Sequence, residues 1–507
     1  MTIDKARTTY EKLCTHAREV AILNSTQSLL GWDERTKLPA GGGEYRADQM
    51  SYLAGFMHKK LTAPEVGEWL DELINSPLAA DPHSDTGTDI VNMKRDYDRK
   101  TKLPQALVEE LAKLSVLGQQ LWVEARKAND FGRFRPLLER TIELKCQEAA
   151  AIGYEKEPYD ALLDEFEPGA KTTEVAQALK GLREQLVPLV AAIAASAPRP
   201  NIDALKGSYP IDLQEQFGRR CAGAIGFDFN DGRLDTTNHP FCAGMGPCDV
   251  RLTTRYDKDN LAGSLFSTLH EAGHGIYDQG LRKEHYGLPT GEAVSLGIHE
   301  SQSRMWENLV GRSRAFWEFF YPIAQQTFGD ALGGVSQDDF YFAINDVRPS
   351  LIRTESDEVT YNLHILIRFE LELALINDEL AVVDLPAAWQ AKYREYLGIE
   401  SPTDSDGVLQ DVHWSSGAFG YFPTYSLGNL YAAQFFEKAA QDLGNLHEMF
   451  SRGEFVPLRE WLRTNIHAEG RRYPAAELCQ RITGLPLSHD PLIRHLRGKF
   501  GPLYDLS

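Results

Sequence analysis

Two histidines and a glutamate stand close together in the segment His270-Glu271-Ala272-Gly273-His274. Positions four apart lie on one face of an α-helix, so both imidazoles can bind the same metal ion. Glu271 is turned about a third of the way around such a helix, where it can act as a general base on an attacking water. The motif predicts metal-dependent hydrolysis, and the alternative is a chance pattern on a solvated helical face.

A catalytic zinc site needs a third protein ligand and an open position for water. Glu300 follows His274 by 26 residues (300 − 274), which is enough for a turn and an antiparallel helix. Glu292 and His299 are the rivals, although adjacent residues on a helix point in different directions, so His299 and Glu300 are not expected to bind together. We predict that His270, His274 and Glu300 hold one divalent ion. Zn²⁺ is our first choice, with Co²⁺ and Mn²⁺ as alternatives.

The residues around the motif predict the helix that carries it. Apolar residues recur with the spacing of one helical face at Leu261, Leu265, Leu269, Ala272 and Ile276. Gly273 and Gly275 each cost roughly 1 kcal/mol of helix propensity. Their presence indicates that another part of the chain approaches this helix closely.

Most of the chain carries the helical period, which predicts a mainly α fold. We expect helices over residues 104–127, 134–151, 173–195, 261–279, 292–320, 360–380 and 427–436. The period breaks at 227–255, where an Asp-Gly turn and an alternating segment predict a small strand or hairpin directly before the metal-binding helix. Residues 400–411 read as a loop. No repeat or low-complexity linker divides the chain, so we expect a single domain over residues 1–507.

Composition narrows the class of protein. The 507 residues are 25% charged and 42% hydrophobic, as in a soluble globular enzyme, and the net charge is −20 (53 − 73). So acidic a chain, without a basic patch, is not expected to bind nucleic acid or a membrane surface. Six cysteines are too few for a disulfide framework. Cys242 and Cys248 lie near His239 and are conceivable ligands, but reduced thiols and the lack of a signal peptide favour a cytoplasmic protein.

Six short motifs follow one another along the chain. They are HPF at His239–Phe241, DxRxT at Asp249–Thr253, HExxH at His270–His274, HESQ at His299–Gln302, IRxx(A/S)D at Ile352–Asp357 and GxxQDxHW at Gly407–Trp414. In this set the chain resembles the carboxypeptidase Taq family of thermostable metallocarboxypeptidases. The likeness extends to residues 30–33 and 421–425 and therefore covers nearly the whole chain. It implies a large helical zinc-peptidase fold with a deep central groove, similar in shape to neurolysin, for which residues 1–100 are a candidate helical cap.

The resemblance implies metal-dependent release of single residues from peptide C-termini, commonly by homodimers. The tetrahedral oxyanion of that reaction needs a donor besides the metal. His413, Tyr421 and Tyr425 are candidates, and in the wider helical peptidase group a His and a Tyr fill this role. We choose His413 and Tyr425 and assign Tyr421 and His239 to substrate binding. The alternative is that these side chains are buried, hydrogen-bonded parts of the groove wall.

A carboxypeptidase must bind a terminal carboxylate, and a planar guanidinium does so through paired charge-assisted hydrogen bonds. Arg353 is our candidate for this contact. Glu355, Asp357 and Glu358 lie close by in sequence, so the alternative is an arginine held in a structural salt-bridge cluster. Arg251 is next in line, although we expect it to tie the β element to the metal-binding helix.

Two other functions stay open at this point. An endo-oligopeptidase or dipeptidyl-carboxypeptidase would use the same zinc chemistry on the same class of peptide substrates. A non-catalytic helical protein could keep a structural metal, but Glu271 would then have no purpose beside the ion.

Overall fold

The computed structural model describes residues 2–506, and over these residues the chain is mainly helical, as predicted. The α-helices are α1 (Ile3–Thr36), α2 (Gly43–Leu61), α3 (Pro64–Ile74), α4 (Asp85–Thr101), α5 (Gln105–Ala128), α6 (Phe131–Ile152), α7 (Pro158–Leu163), α8 (Thr172–Ala195), α9 (Ile211–Ile225), α10 (Leu261–Gly280), α11 (Leu296–Arg304), α12 (Arg314–Thr327), α13 (Gly329–Leu332), α14 (Gln337–Ile344), α15 (Tyr361–Ile376), α16 (Leu385–Leu397), α17 (Phe422–Leu443), α18 (Leu446–Ser451), α19 (Val456–Asn465), α20 (Ala475–Thr483) and α21 (Asp490–Tyr504). The strands are β1 (Gly232–Thr236), β2 (Cys242–Gly246) and β3 (Asp249–Thr254).

The chain forms two compact units. The first comprises the chain up to Thr101, Asn201–Ile344 and Phe435–Ile482, and it contains α10, α11 and the three strands. The second comprises Lys102–Pro200, Asn345–Gln434 and the chain from Thr483 onward, and it contains α5–α8, α15 and α16. The expectation of one domain with residues 1–100 as a cap stays a prediction.

A small sheet precedes α10, where the helical period of the sequence breaks. β3 lies in the middle, parallel to β1 and antiparallel to β2. The hydroxyl of Thr254 at the end of β3 donates to the carbonyl of Ser264 in α10 at 3.1 Å. The sheet is thereby fastened to the helix that carries the HExxH motif.

α10 begins where its sequence predicts. The side chain of Asn260 caps the helix by accepting a hydrogen bond from the amide of Gly263 at 2.9 Å. The predicted core-facing row is buried along its whole length: Leu261, Leu265, Leu269, Ala272 and Ile276. That row fixes the rotation of α10 and so decides which way the motif histidines point.

The predicted helix over residues 292–320 is wrong, because the structure divides this stretch. α11 begins after the capping Ser295 and continues into a π-helical turn, Met305–Val310. Gly311 then ends the turn, and the side chain of Ser313 caps a new helix, α12. Two serine caps and one glycine outweigh the continuous apolar period.

The predicted loop is also present in the structure. Residues 400–411 form an irregular loop. The six cysteines are free thiols. Among the described residues, no helix combines the length and the apolar character that crossing a membrane requires.

Candidate metal centre and catalytic groups

Three side chains of the first unit converge on one point. Nε2 of His270 lies 3.8 Å, and Nε2 of His274 lies 3.5 Å, from Oε2 of Glu300. One potential ligand atom from each of the three lies within 4.8 Å of the others. α10 supplies the two imidazoles one turn apart and α11 supplies the carboxylate, so the structure brings together the three residues that the sequence singles out as ligands.

This arrangement fits a single divalent ion. Two ligand atoms that each stand about 2.1 Å from a zinc ion at a tetrahedral angle lie about 3.4 Å apart, close to the separations found here. Imidazole nitrogen and carboxylate oxygen are also donors that zinc accepts. Three such ligands leave the fourth tetrahedral position for a water or a substrate.

The second nitrogen of each imidazole has a partner of its own. Nδ1 of His270 is 2.9 Å from Oε2 of Glu307. Nδ1 of His274 is 2.5 Å from Nδ1 of His299, and Nε2 of His299 is 3.0 Å from Oδ1 of Asp278. Outer partners of this kind fix the orientation of a ligating imidazole and the position of its proton. Here they leave both Nε2 atoms directed at the ligand cluster.

His299 and Glu292, the two other candidate ligands, have different partners in the structure. His299 lies outside the cluster and supports His274 from behind. The exposed carboxylate of Glu292 lies 3.2 Å from Nη1 of Arg471. Within residues 2–506, His270, His274 and Glu300 form the group of side chains whose geometry could hold a metal ion.

Burial and charge act in opposite directions on the cluster. Burial lowers the pKa of His270, but Glu300 and Glu307 outweigh burial and raise this pKa to about 9. Burial raises the pKa of Glu300, but Arg304, His270 and His274 outweigh it and hold this carboxyl ionised. Burial lowers the pKa of His274 to about 4. The negative potential that holds a proton on His270 can equally hold a cation, because metal and proton compete for the same nitrogen.

Glu271 directly follows His270 in sequence, and its carboxylate is not part of the cluster of three candidate ligands. Its side chain is buried, and burial raises the pKa of its carboxyl to about 7, opposed by His270 and assisted by Glu300. A carboxylate whose pKa lies near neutrality can both accept and release a proton under working conditions.

Gly273 explains how α11 comes so close to α10. A Cβ atom built on Gly273 would stand 2.6 Å from the carbonyl oxygen of Gln302 and 2.6 Å from Cα of Ser303, both in α11. On the other side of α10, a Cβ on Gly275 would stand 2.6 Å from the ring of Phe227. The close approach that the two glycines predict is confirmed at both positions.

In the second unit, Arg353 is buried in a network of charges. Its Nε and Nη2 donate to Oδ1 of Asp411 at 2.9 and 2.8 Å, and its Nη1 donates to the hydroxyl of Tyr361 at 3.2 Å. Nε of Arg368 donates to the other oxygen of Asp411 at 2.6 Å. The two guanidinium groups hold the pKa of Asp411 well below its usual range, although burial alone would raise it.

The acids beside Arg353 in sequence do not pair with it. Asp357 accepts from the amide and hydroxyl of Thr360, and Glu358 pairs with His495 and Lys499. Asp411, 58 residues further along the chain, pairs with Arg353 instead of Glu355, Asp357 or Glu358.

His413, Tyr421 and Tyr425 form one aromatic group. Nε2 of His413 lies 3.3 Å from the hydroxyl of Tyr425, and the ring of Tyr421 stands 5.3 Å from each of the other two rings. The guanidinium of Arg353 lies 5.1 Å from the ring of Tyr425. Burial lowers the pKa of His413 to about 4 and the two arginines act in the same direction, against Asp411, so the imidazole is neutral at pH 7.

Two residues of the β element lie apart from these groups. His239 is exposed in the connection between β1 and β2. Arg251 donates twice to Asp249, at 2.8 Å each, and its guanidinium lies 4.5 Å from the ring of Trp32 in α1. Arg251 therefore ties the sheet to α1, and the expected tie to the metal-binding helix is wrong, because the aromatic face of Trp32 attracts the cation.

Comparison with known proteins decides the family. A family model described as carboxypeptidase Taq (M32) metallopeptidase matches residues 12–500. The chain belongs to this family. It is therefore a metallocarboxypeptidase, a metal-dependent peptide hydrolase, as its motifs predict.

Relatives of the family resemble the chain over its full length. Thermostable carboxypeptidase 1 of Thermus thermophilus is 48% identical over 98% of this chain and 99% of its own. Carboxypeptidase 1 of Bacillus subtilis is 38% identical over 98% and 99%. The crystal structure of the M32 carboxypeptidase from Deinococcus radiodurans R1 is 42% identical, with a TM-score of 0.95 over 98% of this chain and 100% of that one. The mainly α metallopeptidase fold is thereby confirmed.

Several residues that hold the candidate site residues in place were not predicted from the sequence. Asp278 follows His274 by four residues and Glu307 follows Glu300 by seven, so helical spacing could have placed each acid on the same helical face as one of the predicted ligands. Asp411 stood inside a recognised motif without an assigned partner. Arg368 carries no local signal, because its pairing with Asp411 depends entirely on the fold.

Proposed function

We propose that this M32 carboxypeptidase releases single amino acids from the free C-terminus of peptides, with broad specificity. The observation that carries the proposal is the convergence of two imidazoles and a carboxylate, with an adjacent carboxylate that is not a ligand. A purely structural metal site has no use for Glu271 in that place, which argues against the non-catalytic alternative.

His270, His274 and Glu300 would hold the cation. Zn²⁺ suits this donor set best, and Co²⁺ or Mn²⁺ could replace it, depending on availability. When bound, the ion supplies a Lewis acid that polarises the scissile carbonyl and makes water more acidic. For Nε2 of His274 to serve as ligand, its Nδ1 must carry the hydrogen and donate it to His299. Oδ1 of Asp278 lies 3.0 Å from Nε2 of His299 and can only accept there, so Nδ1 of a neutral His299 is able to accept that hydrogen.

Glu271 would carry the proton through the reaction. It accepts a proton from the attacking water and then delivers it to the nitrogen of the leaving amine. The raised pKa of its buried carboxyl suits both steps, since a carboxylate of ordinary acidity would accept the proton less readily.

Arg353, His413 and Tyr425 would supply the contacts that define substrate and transition state. We assign the terminal carboxylate of the peptide to Arg353. Three of its five N–H groups bind Asp411 and Tyr361 in the structure, which holds the guanidinium plane in one orientation. His413 and Tyr425 would donate hydrogen bonds to the oxyanion, with the imidazole neutral.

Tyr421 and His239 are assigned to substrate binding in the same proposal. Tyr421 lies in contact with His413 and Tyr425, which supports its part. His239 has only the resemblance of its motif to support it.

We further propose that the enzyme works in the cytoplasm as a homodimer. Six free thiols suit a reducing compartment. The homodimer rests on the family resemblance alone. Light scattering on purified protein would give its mass directly, with twice 56.9 kDa as the expected value.

Product analysis tests the proposed function. The metal-loaded protein is incubated with an N-terminally blocked peptide, and the products are followed by mass spectrometry over time. Successive loss of single C-terminal residues is expected. Loss of residues in pairs would support a dipeptidyl-carboxypeptidase instead, and internal fragments would support an endo-oligopeptidase.

A further inference from the structure

Glu372 of α15 is a fully buried carboxylate that accepts three hydrogen bonds. Its Oε2 accepts from the hydroxyl of Tyr159 at 2.5 Å and from the amide of Gly420 at 3.1 Å. Its Oε1 accepts from Nε1 of Trp414 at 2.8 Å. None of the sequence motifs includes Glu372, and none of the proposed catalytic steps uses it.

Two of the three donors stand at the two ends of one short segment, residues 414–420. Trp414 directly follows His413, and Gly420 directly precedes Tyr421, so the carboxylate holds both ends of the segment 414–420. A single side chain thereby connects the positions of His413 and of the helix that starts at Phe422 and carries Tyr425.

The Gly420 end of this arrangement leaves little freedom. Gly420 has a φ of +94°, and a Cβ atom there would stand 2.7 Å from the carbonyl carbon of Leu162 in α7. Only glycine suits that backbone conformation and that close approach. α7 also carries Tyr159, the third donor to Glu372, so α7, α15 and the segment meet at one carboxylate.

We propose that Glu372 is a positioning residue that sets the geometry of His413 relative to Tyr421 and Tyr425 by clamping both ends of the segment 414–420. The inference rests on the proposed function, because that function gives His413 and Tyr425 their role at the oxyanion.

The chemistry of the carboxylate supports a role in geometry. Burial raises the pKa of Glu372 to about 7, while its three hydrogen-bond donors and Lys145 act against this rise. A buried carboxyl group is a costly way to obtain stability, and apolar side chains of similar volume commonly do as well. What an apolar side chain cannot do is accept hydrogen bonds from the two ends of a segment at fixed distances.

The test is the variant Glu372→Gln. Glutamine keeps the size of the side chain and one acceptor oxygen, but its NH₂ group must face a donor and so releases one end of the segment. We expect kcat to fall roughly 10- to 100-fold, because small misplacements of catalytic groups cost about that much. KM and metal content should stay within about threefold of the wild-type values, since the change lies outside the ligand cluster.

Tyr159→Phe is the matched control. It removes a hydrogen bond from the same carboxylate but touches neither end of the segment. Tyr159→Phe should lower thermal stability to a similar degree as Glu372→Gln and leave kcat within about threefold. Equal losses of kcat in the two variants would mean that Glu372 is merely structural, and an unchanged kcat in folded Glu372→Gln would equally overturn the proposal.

A spectroscopic measurement examines the clamp without relying on activity. The protein is labelled with 5-fluorotryptophan, and the ¹⁹F resonance of Trp414 is assigned from the variant Trp414→Phe. Glu372→Leu, which removes both acceptor oxygens, should shift or broaden that resonance, whereas Tyr159→Phe should not. An unmoved resonance in folded Glu372→Leu would show that the carboxylate does not hold Trp414 and would overturn the clamp. Failure of the proposed function would appear differently, as wild-type protein that releases no C-terminal residues.

Discussion

Replacing Gly273 by alanine should separate α10 and α11, the two helices that carry the proposed metal ligands. The new Cβ would stand 2.6 Å from backbone atoms of Gln302 and Ser303, whereas ordinary contacts begin at 3.4 Å. Backbone cannot rotate away as a side chain can, so α11 must retreat by about 0.8 Å (3.4 − 2.6), taking Glu300 with it. Metal–ligand distances tolerate only about 0.2 Å.

The expected result is a defect in metal binding larger than the defect in folding. Affinity should fall by at least 10- to 100-fold, the loss typical of disturbed ligand support. Overpacking of a well-filled contact costs about 1–3 kcal/mol, and alanine returns up to about 1 kcal/mol of helix propensity. The net loss of stability should therefore not exceed about 2 kcal/mol.

Gly218→Ala is the matched control for this experiment. Gly218 is a buried glycine of α9 that faces α10, and a Cβ there would meet Thr268 at an ordinary distance of 3.7 Å. This variant should keep its metal and gain up to about 1 kcal/mol. Competition with a fluorescent zinc indicator gives the affinities, and thermal melts give the stabilities. If Gly273→Ala bound zinc with wild-type affinity, the glycine would not be what sets the distance between α10 and α11 that metal binding needs.

Three further outcomes follow from the same geometry. Glu271→Gln keeps the shape of the side chain but cannot accept a proton, so turnover should fall by roughly 10²–10⁴ or more with metal still bound, and near-normal turnover would exclude Glu271 as the base. Arg353→Met should lower kcat/KM by roughly 10- to 150-fold on a free-acid peptide but not on its C-terminal amide, and full discrimination against the amide in the mutant would move the role elsewhere. The pKa of His413 is about 4 in the folded protein and about 6.5 in the unfolded chain, so the unfolded state takes up the proton at the higher pH. As the pH falls through this range, protonation of this residue lowers the free energy of unfolding by up to about 3 kcal/mol. Thermal melts of His413→Gln should therefore lose stability less steeply between pH 6.5 and 4 than the wild type, and parallel curves would contradict the lowered pKa.

Local signals account for what the sequence predicted well. The apolar row of α10 identifies the face that packs against the core, and the four-residue spacing of His270 and His274 places both imidazoles on one face of the helix. Gly273 carried long-range information, because a glycine inside a strong helix is costly unless another backbone must approach it. The helix over residues 292–320 was mispredicted for the opposite reason. A continuous apolar period concealed two capping serines and a glycine, which end helices in spite of it.

Pairings between distant residues lay beyond local reasoning. Arg353 had three acids within five residues, yet Asp411 binds it, because the fold brings the 407–414 motif against α15 and its preceding turn. Sequence proximity alone cannot select among carboxylates, since each offers the same chemistry. Arg251 similarly meets Trp32, which is more than two hundred residues away along the chain.

Metal content per chain tests whether His270, His274 and Glu300 bind the cation. Wild-type protein and His274→Ala are purified, loaded with zinc and dialysed, and their zinc content is measured by inductively coupled plasma mass spectrometry. Circular dichroism verifies that both proteins are folded. We expect one zinc ion per wild-type chain, with peptidase activity proportional to occupancy, and the loss of both in the variant. Full zinc occupancy in a folded His274→Ala protein would contradict the assignment of His270, His274 and Glu300 as the metal-binding site.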